Sequence, residues 1–130
     1  RDVLENRDKE DTVYLNSHWI DSHHVQRLAL DDRHFRNEGR IWHELKAPYA
    51  VPYRSLLPEP EDVTNLLVPC CVSASHVAFC SIRLESTWMG LGEAAGCAAT
   101  AALQADRPVQ EVDVAGLQKR LRQRGVLLSP

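Results

Sequence analysis

His76 and Arg83 are the side chains best suited to chemistry in this chain. His76 closes the run Ser73-Ala74-Ser75-His76, and Arg83 closes Ser81-Ile82-Arg83. An imidazole titrates near neutrality, so it can take or give a proton at physiological pH. A guanidinium keeps its charge and its planar fork, so it can clamp a carboxylate or steady a developing anion. Each has a plainer use. His76 can simply hold a loop by hydrogen bonding, and Arg83 can sit in a buried ion pair, with Glu85 close by in sequence.

A second group surrounds His23 and His24. In an extended segment adjacent side chains point to opposite faces, so at most one of the two lines a pocket wall. His18 and Asp21 would complete a metal set, but the ligands crowd into one short stretch without structural-zinc spacing, and no metal is expected. Tyr53 and Arg54 precede Ser55. Structural pairing is their first reading and contact with a bound small molecule their second. The four cysteines, Cys70, Cys71, Cys80 and Cys97, include no C-x-x-C pair. Cys97 reads as a small apolar filler. Cys70 and Cys71 read as free buried thiols, with a redox pair as the lesser alternative.

Composition narrows the classes. The chain has 130 residues, 44% of them hydrophobic, and a net charge of -3. That suits one domain or a compact piece of a larger protein. The charge gives no general pull toward nucleic acid or anionic lipid. No apolar stretch is long enough for a membrane span. The chain opens on Arg1 without a signal-like segment, which suggests a processed or truncated start.

Elements must position these residues. Residues 1–12 are dominated by charge and read as a flexible, solvated segment. Strands are expected at residues 13–20, 25–30 and 40–45, with turns at 21–24, 31–32 and 37–39. Tyr53 to Leu57 reads as the end of a strand. Val63 to Val68 becomes continuously apolar, as a strand buried on both faces does. His76 then lies in a loop. A helix follows from Thr87, capped by Ser86 or Thr87, to about Leu103 or Ala105, with Gly92, Gly96 and Ala99 as a small-residue side open to close approach. A last helix starts at Asp113, buries Val114, Leu117 and Leu121, and stops at Gly125. Its basic outer face reads as solvated.

Taken in order, Asp21 to Arg27, Tyr53-Arg54-Ser55, Asn65-Leu66-Leu67-Val68, Ser73 to His76, Ser81-Ile82-Arg83 and Val112 to Gln118 form a set. Between about Leu15 and Leu127 the chain resembles the C-terminal portion of a family of FAD-dependent oxidoreductases. The resemblance implies an α+β fragment: substrate-domain strands over 13–62, then the C-terminal part of an FAD-binding domain over 63–130. The latter would hold one strand of the parent sheet and two C-terminal helices. The phosphate loop G-x-G-x-x-G is absent, so the other half of the cofactor site would belong to a missing N-terminal part.

The resemblance also assigns roles. FAD is the implied cofactor, lined by Cys70, Cys71, Val72 and Ser73 from one turn and by Thr87, Trp88 and Met89 from the helix start. His76 and Arg83 are the implied catalytic pair, and His23, His24, Tyr53 and Arg54 the implied substrate contacts. Many relatives carry Gly-Arg where this chain has Pro69-Cys70-Cys71, so no cation is expected from that turn. The implied parent moves a hydride from a small organic substrate to flavin, and the fragment alone would lack activity. The other reading is a non-enzymatic association module that self-associates through its small-residue helix. A metal-dependent hydrolase built on His18, His23 and His24 comes third.

Overall fold

A computed structural model describes residues 2–5 and 9–129 of the chain. It is a small α+β structure, as expected. The order is α1 (Asp2–Glu5), β1 (Thr12–Asn16), β2 (Ile20–Ser22), β3 (Gln26–Ala29), β4 (Phe35–Glu38), β5 (Ile41–His43) and β6 (Tyr49–Pro52), then a 3-10 turn at Tyr53–Leu56. Three helices follow: α2 (His76–Ile82), α3 (Glu85–Ala105) and α4 (Val114–Gln123), with a second 3-10 turn at Val109–Glu111 between the last two. The expected solvated terminus is partly helical, with Val3 buried; residues 1 and 6–8 lie outside the described residues.

The strands form antiparallel pairs only. β1 runs against β6 with Leu15 opposite Ala50 and Asn16 opposite Tyr49. β2 pairs with β5, and β3 with β4. The Val25 N–H donates to the Glu38 carbonyl at 3.0 Å, which joins the last two pairs into one long ribbon. Gly39 sits at the join with φ +78, and Val25 Cγ2 lies 2.2 Å from where a β-carbon would stand, so only glycine fits there. At the ribbon tip the Asp31 carboxylate accepts from the Arg33 and His34 N–H groups, and these bonds with the His34 ring hold its pKa below the usual carboxylate value.

The ribbon departs from the expected segments at its root. A single strand over 13–20 is split, because the Asn16 side chain accepts the His18 N–H at 3.1 Å and bends the chain. Asp21 and Ser22, expected in a turn, pair inside β2.

The core lies between β1–β6 and the long helix. α3 presents Leu91, Ala94, Ala98 and Ala102 inward at helical spacing. They meet Val13, Val51, Tyr53 and Leu56, and α4 closes the other side with Leu117 and Leu121. Gln118 ties α4 to the first strand by donating to the Glu10 and Thr12 carbonyls at 2.7 and 3.1 Å.

Three further expectations need correcting. Residues 63–68 form no strand. Their polar backbone groups are met singly instead: Val68 N–H by Leu56, Thr64 carbonyl by Val109 N–H, and Val63 carbonyl by the Gln110 side chain. A strand buried on both faces needs neighbours on both edges, and among the described residues there are none. Tyr53–Leu56 is a 3-10 turn rather than a strand end. Gly92 and Gly96 are exposed, with nothing within 4 Å of an added β-carbon. The close approach is at Gly90, where the Tyr14 ring lies 2.1 Å from that point.

Candidate functional site

His76 opens a helix rather than standing in a loop. Ser75 caps α2: its hydroxyl accepts the Ala78 N–H at 3.3 Å, and its extended backbone starts the turn. That cap was the signal available in the sequence. One turn on, the His76 Nε2 lies 3.8 Å from Cys80 Sγ. Arg83 terminates the same helix. Seven residues separate the two, or about 10 Å along the axis.

Arg83 turns toward the ribbon root. Its Nη2 donates to the Asp21 carbonyl at 3.0 Å and stands 3.9 Å from the Asp21 carboxylate. His23 Nε2 is 3.4 Å from the same carboxylate, and Arg40 Nη2 is 3.8 Å from its other oxygen. Asp21 therefore gathers Arg83, Arg40 and His23, in place of the Glu85 partnership read from proximity in sequence. Asp21 Oδ1 is buried without a hydrogen bond. His24 is exposed on the turn after β2.

Ser81, which the sequence offers only as part of the run Ser81-Ile82-Arg83 and without a role of its own, is a structural centre here. Its hydroxyl accepts the Tyr49 O–H at 2.8 Å and donates to the His18 carbonyl at 2.5 Å. The Asn16 amide donates to Tyr49 Oη and to the Ser81 carbonyl, both at 2.8 Å. This network fastens α2 to β1 and β6. Burial raises the Tyr49 phenol pKa, an effect opposed by its bonds to Ser81 and Asn16.

Tyr53 is 2% exposed and donates to the Val109 carbonyl at 2.7 Å. Burial pushes its pKa up to about 12. Arg54 is exposed and pairs with Asp11, which also accepts the Arg54 backbone N–H at 3.0 Å. Cys70 and Cys71, expected to be buried, are exposed with Ser73 on a bend, because Val72 takes the inward position there.

A cleft of about 560 Å³ lies over β6 and the start of α2. Arg54, Ser55, Ser73 and Ser75 supply polar groups there, and Val51, Val77 and Ile82 apolar wall. It brings Arg54 and Ser73 together. Thr87, Trp88 and Met89 are not among its lining residues.

Those three residues belong to the first turns of α3. The helix begins at Glu85, two residues earlier than expected, so Ser86 and Thr87 are helical rather than caps. Leu84 holds the cap position and offers no side-chain bond, which leaves the first N–H groups of a 21-residue helix without a side-chain acceptor. Thr87 is 1% exposed, yet its Oγ1 has no partner. Trp88 Nε1 is likewise buried and unpartnered. Met89 is 74% exposed. Buried donors of this kind ordinarily find an acceptor, so the start of α3 is short of one.

A family model described as FAD dependent oxidoreductase matches residues 1–121. The chain belongs to that family. No curated protein and no solved structure gives a match. Within the family FAD is the expected cofactor; the Thr87 hydroxyl and Trp88 indole N–H are donors of the kind its carbonyl and ring-nitrogen acceptors need, but both atoms are closed off from the surface in this structure, so the helix start would have to open to present them. Among the described residues no cluster of three or more His, Cys, Asp or Glu side chains is arranged to hold a metal, and no helix is long and apolar enough to cross a membrane.

Proposed function

We propose that this chain forms the closing half of the FAD site of an oxidoreductase acting on a small organic substrate, with an upstream part of the protein holding the dinucleotide phosphates. The supporting observation is the start of α3: an uncapped long helix carrying two buried donors without acceptors. The positive end of such a helix favours an acceptor that gains negative charge on reduction. Bound flavin would supply the hydride acceptor. The chain's own residues do the rest.

Thr87 and Trp88 donate to the cofactor, and the Cys70 to Ser73 turn lines it through backbone. Residues 13–62 contribute the substrate side, with His23, His24, Tyr53 and Arg54 as its candidate contacts. Tyr53 acts there through the backbone it fixes, since its hydroxyl is committed to Val109. His76 receives the substrate proton, and Arg83, anchored at Asp21, stabilises negative charge.

The test is the visible spectrum of a protein extended upstream, read after gel filtration. Flavin bands should travel with the protein, and Thr87→Ala and Trp88→Phe should each weaken retention by about tenfold, the worth of one buried hydrogen bond. A folded, colourless protein that also ignores added FAD would end the proposal. An oligomer sealed through the exposed Gly92 and Gly96 side of α3, with no response to FAD, would favour the association module instead.

A further inference from the structure

Cys70 and Cys71 are adjacent, exposed and free, and the flavin reading uses only their backbone. Their loop is held at both ends. Val68 N–H donates to Leu56 at 2.9 Å, Ser73 N–H donates to Ser55 at 2.8 Å, and Val72 is buried between the thiols and Ser73. Pro69 fixes a further backbone angle on the near side. Two thiols are thus carried on a short tethered bend at the surface, beside the cleft that Ser73 lines.

Direct closure of the pair to a disulfide is disfavoured. Adjacent α-carbons across a trans peptide stand about 3.8 Å apart, short of the usual range of about 4.4 to 6.8 Å for a bridge. A larger atom between the sulfurs removes that squeeze. Bonds of about 2.3 Å to a central atom of pyramidal geometry hold the two sulfurs about 3.4 Å apart, against about 2.05 Å in a disulfide. Among the described residues no third or fourth His, Cys, Asp or Glu joins them, so a tetrahedral zinc set is not formed. A centre satisfied by two thiolates is the match, and soft thiolates select thiophilic elements.

We infer that Cys70 and Cys71 form a bidentate dithiol site for a trivalent arsenical. The reaction balances without an oxidant. Two S–H bonds break, two arsenic–sulfur bonds form, and the oxygen of an arsenoxide leaves as water with both thiol protons. Arsenic stays trivalent and keeps its organic substituent as third neighbour.

Phenylarsine oxide tests this on the chain as it stands. One equivalent should bind and resist millimolar monothiol, yet be stripped by a small dithiol. Cys70→Ser and Cys71→Ser should each weaken binding by about 100-fold or more, because the second attachment gains from high effective concentration. Cys97→Ser should leave it unchanged. Both key positions are exposed, so the serine variants should keep the wild-type far-UV circular dichroism. Single variants that bind as tightly as wild type would overturn the site, as would retention by Cys80 or Cys97 alone. FAD plays no part in this assay, so its outcome is separate from that of the flavin proposal.

Discussion

At the scale of single residues, the buried hydroxyls carry the sharpest consequences. Tyr53 has a folded pKa of about 12 against about 10 for a free phenol, so folding favours its neutral form. That contribution is complete below pH 10 and is lost as pH rises from about 10 to about 12. Urea midpoints measured across that window should fall more steeply for wild type than for Tyr53→Phe. Ser81→Ala should cost about 1–3 kcal/mol in equilibrium unfolding, because it strands the Tyr49 O–H and the His18 carbonyl together. Tyr49→Phe removes the phenol's bonds to Ser81 and Asn16 and should cost less than Ser81→Ala, since the Ser81 hydroxyl still donates to the His18 carbonyl.

At the scale of elements, the glycines of α3 separate by position. Gly90→Ala would drive a methyl into the Tyr14 ring and should cost about 1–3 kcal/mol. Gly92→Ala and Gly96→Ala point into open space and should each add up to about 1 kcal/mol. Thermal melts of the three variants decide this, and equal effects would contradict the packing described. α3 and α4 were legible in sequence because local signals suffice there: an alanine-rich run, Asp113 at the N-cap position, and Gly125 at φ +87. Asp113 makes no cap bond with its side chain, so even there the position was readable and the interaction was not.

Residues 63–68 show the opposite case. An apolar run specifies burial against something, and strand or coil is then decided by neighbours that lie elsewhere in sequence. α2 went unread because seven residues give little periodicity, and its hold on the sheet comes from Ser81, a residue with no distinctive pattern. Of the proposed site, Thr87 and Trp88 were singled out from their place near a helix start, and the structure adds that both carry a buried polar atom without a partner. The Asp21 gathering of Arg83, Arg40 and His23 spans 62 positions and leaves no local trace.

At the scale of the whole molecule, stability is unevenly spread. The sheet pair β1–β6, α3 and α4 share one core, while the β2–β5 and β3–β4 ribbon is exposed along most of its length. Two-stranded ribbons are marginal on their own. Amide hydrogen exchange should therefore be slow in α3 around Leu91 to Ala98 and much faster in β3 and β4. Uniform protection would mean that the ribbon is covered in solution.

The three tryptophans divide along the same line. Trp19 and Trp42 lie at the ribbon root with ring centroids 4.9 Å apart and planes inclined by 38°, close enough for their transitions to couple. Trp88 sits apart on α3 with its indole nitrogen buried. The chain thus contains two optical reporters of different origin. A couplet in the near-ultraviolet dichroism follows the ribbon root, and emission lost in Trp88→Phe follows the helix start. Melting one signal before the other would show the two parts of the molecule coming undone in sequence, without any label being attached.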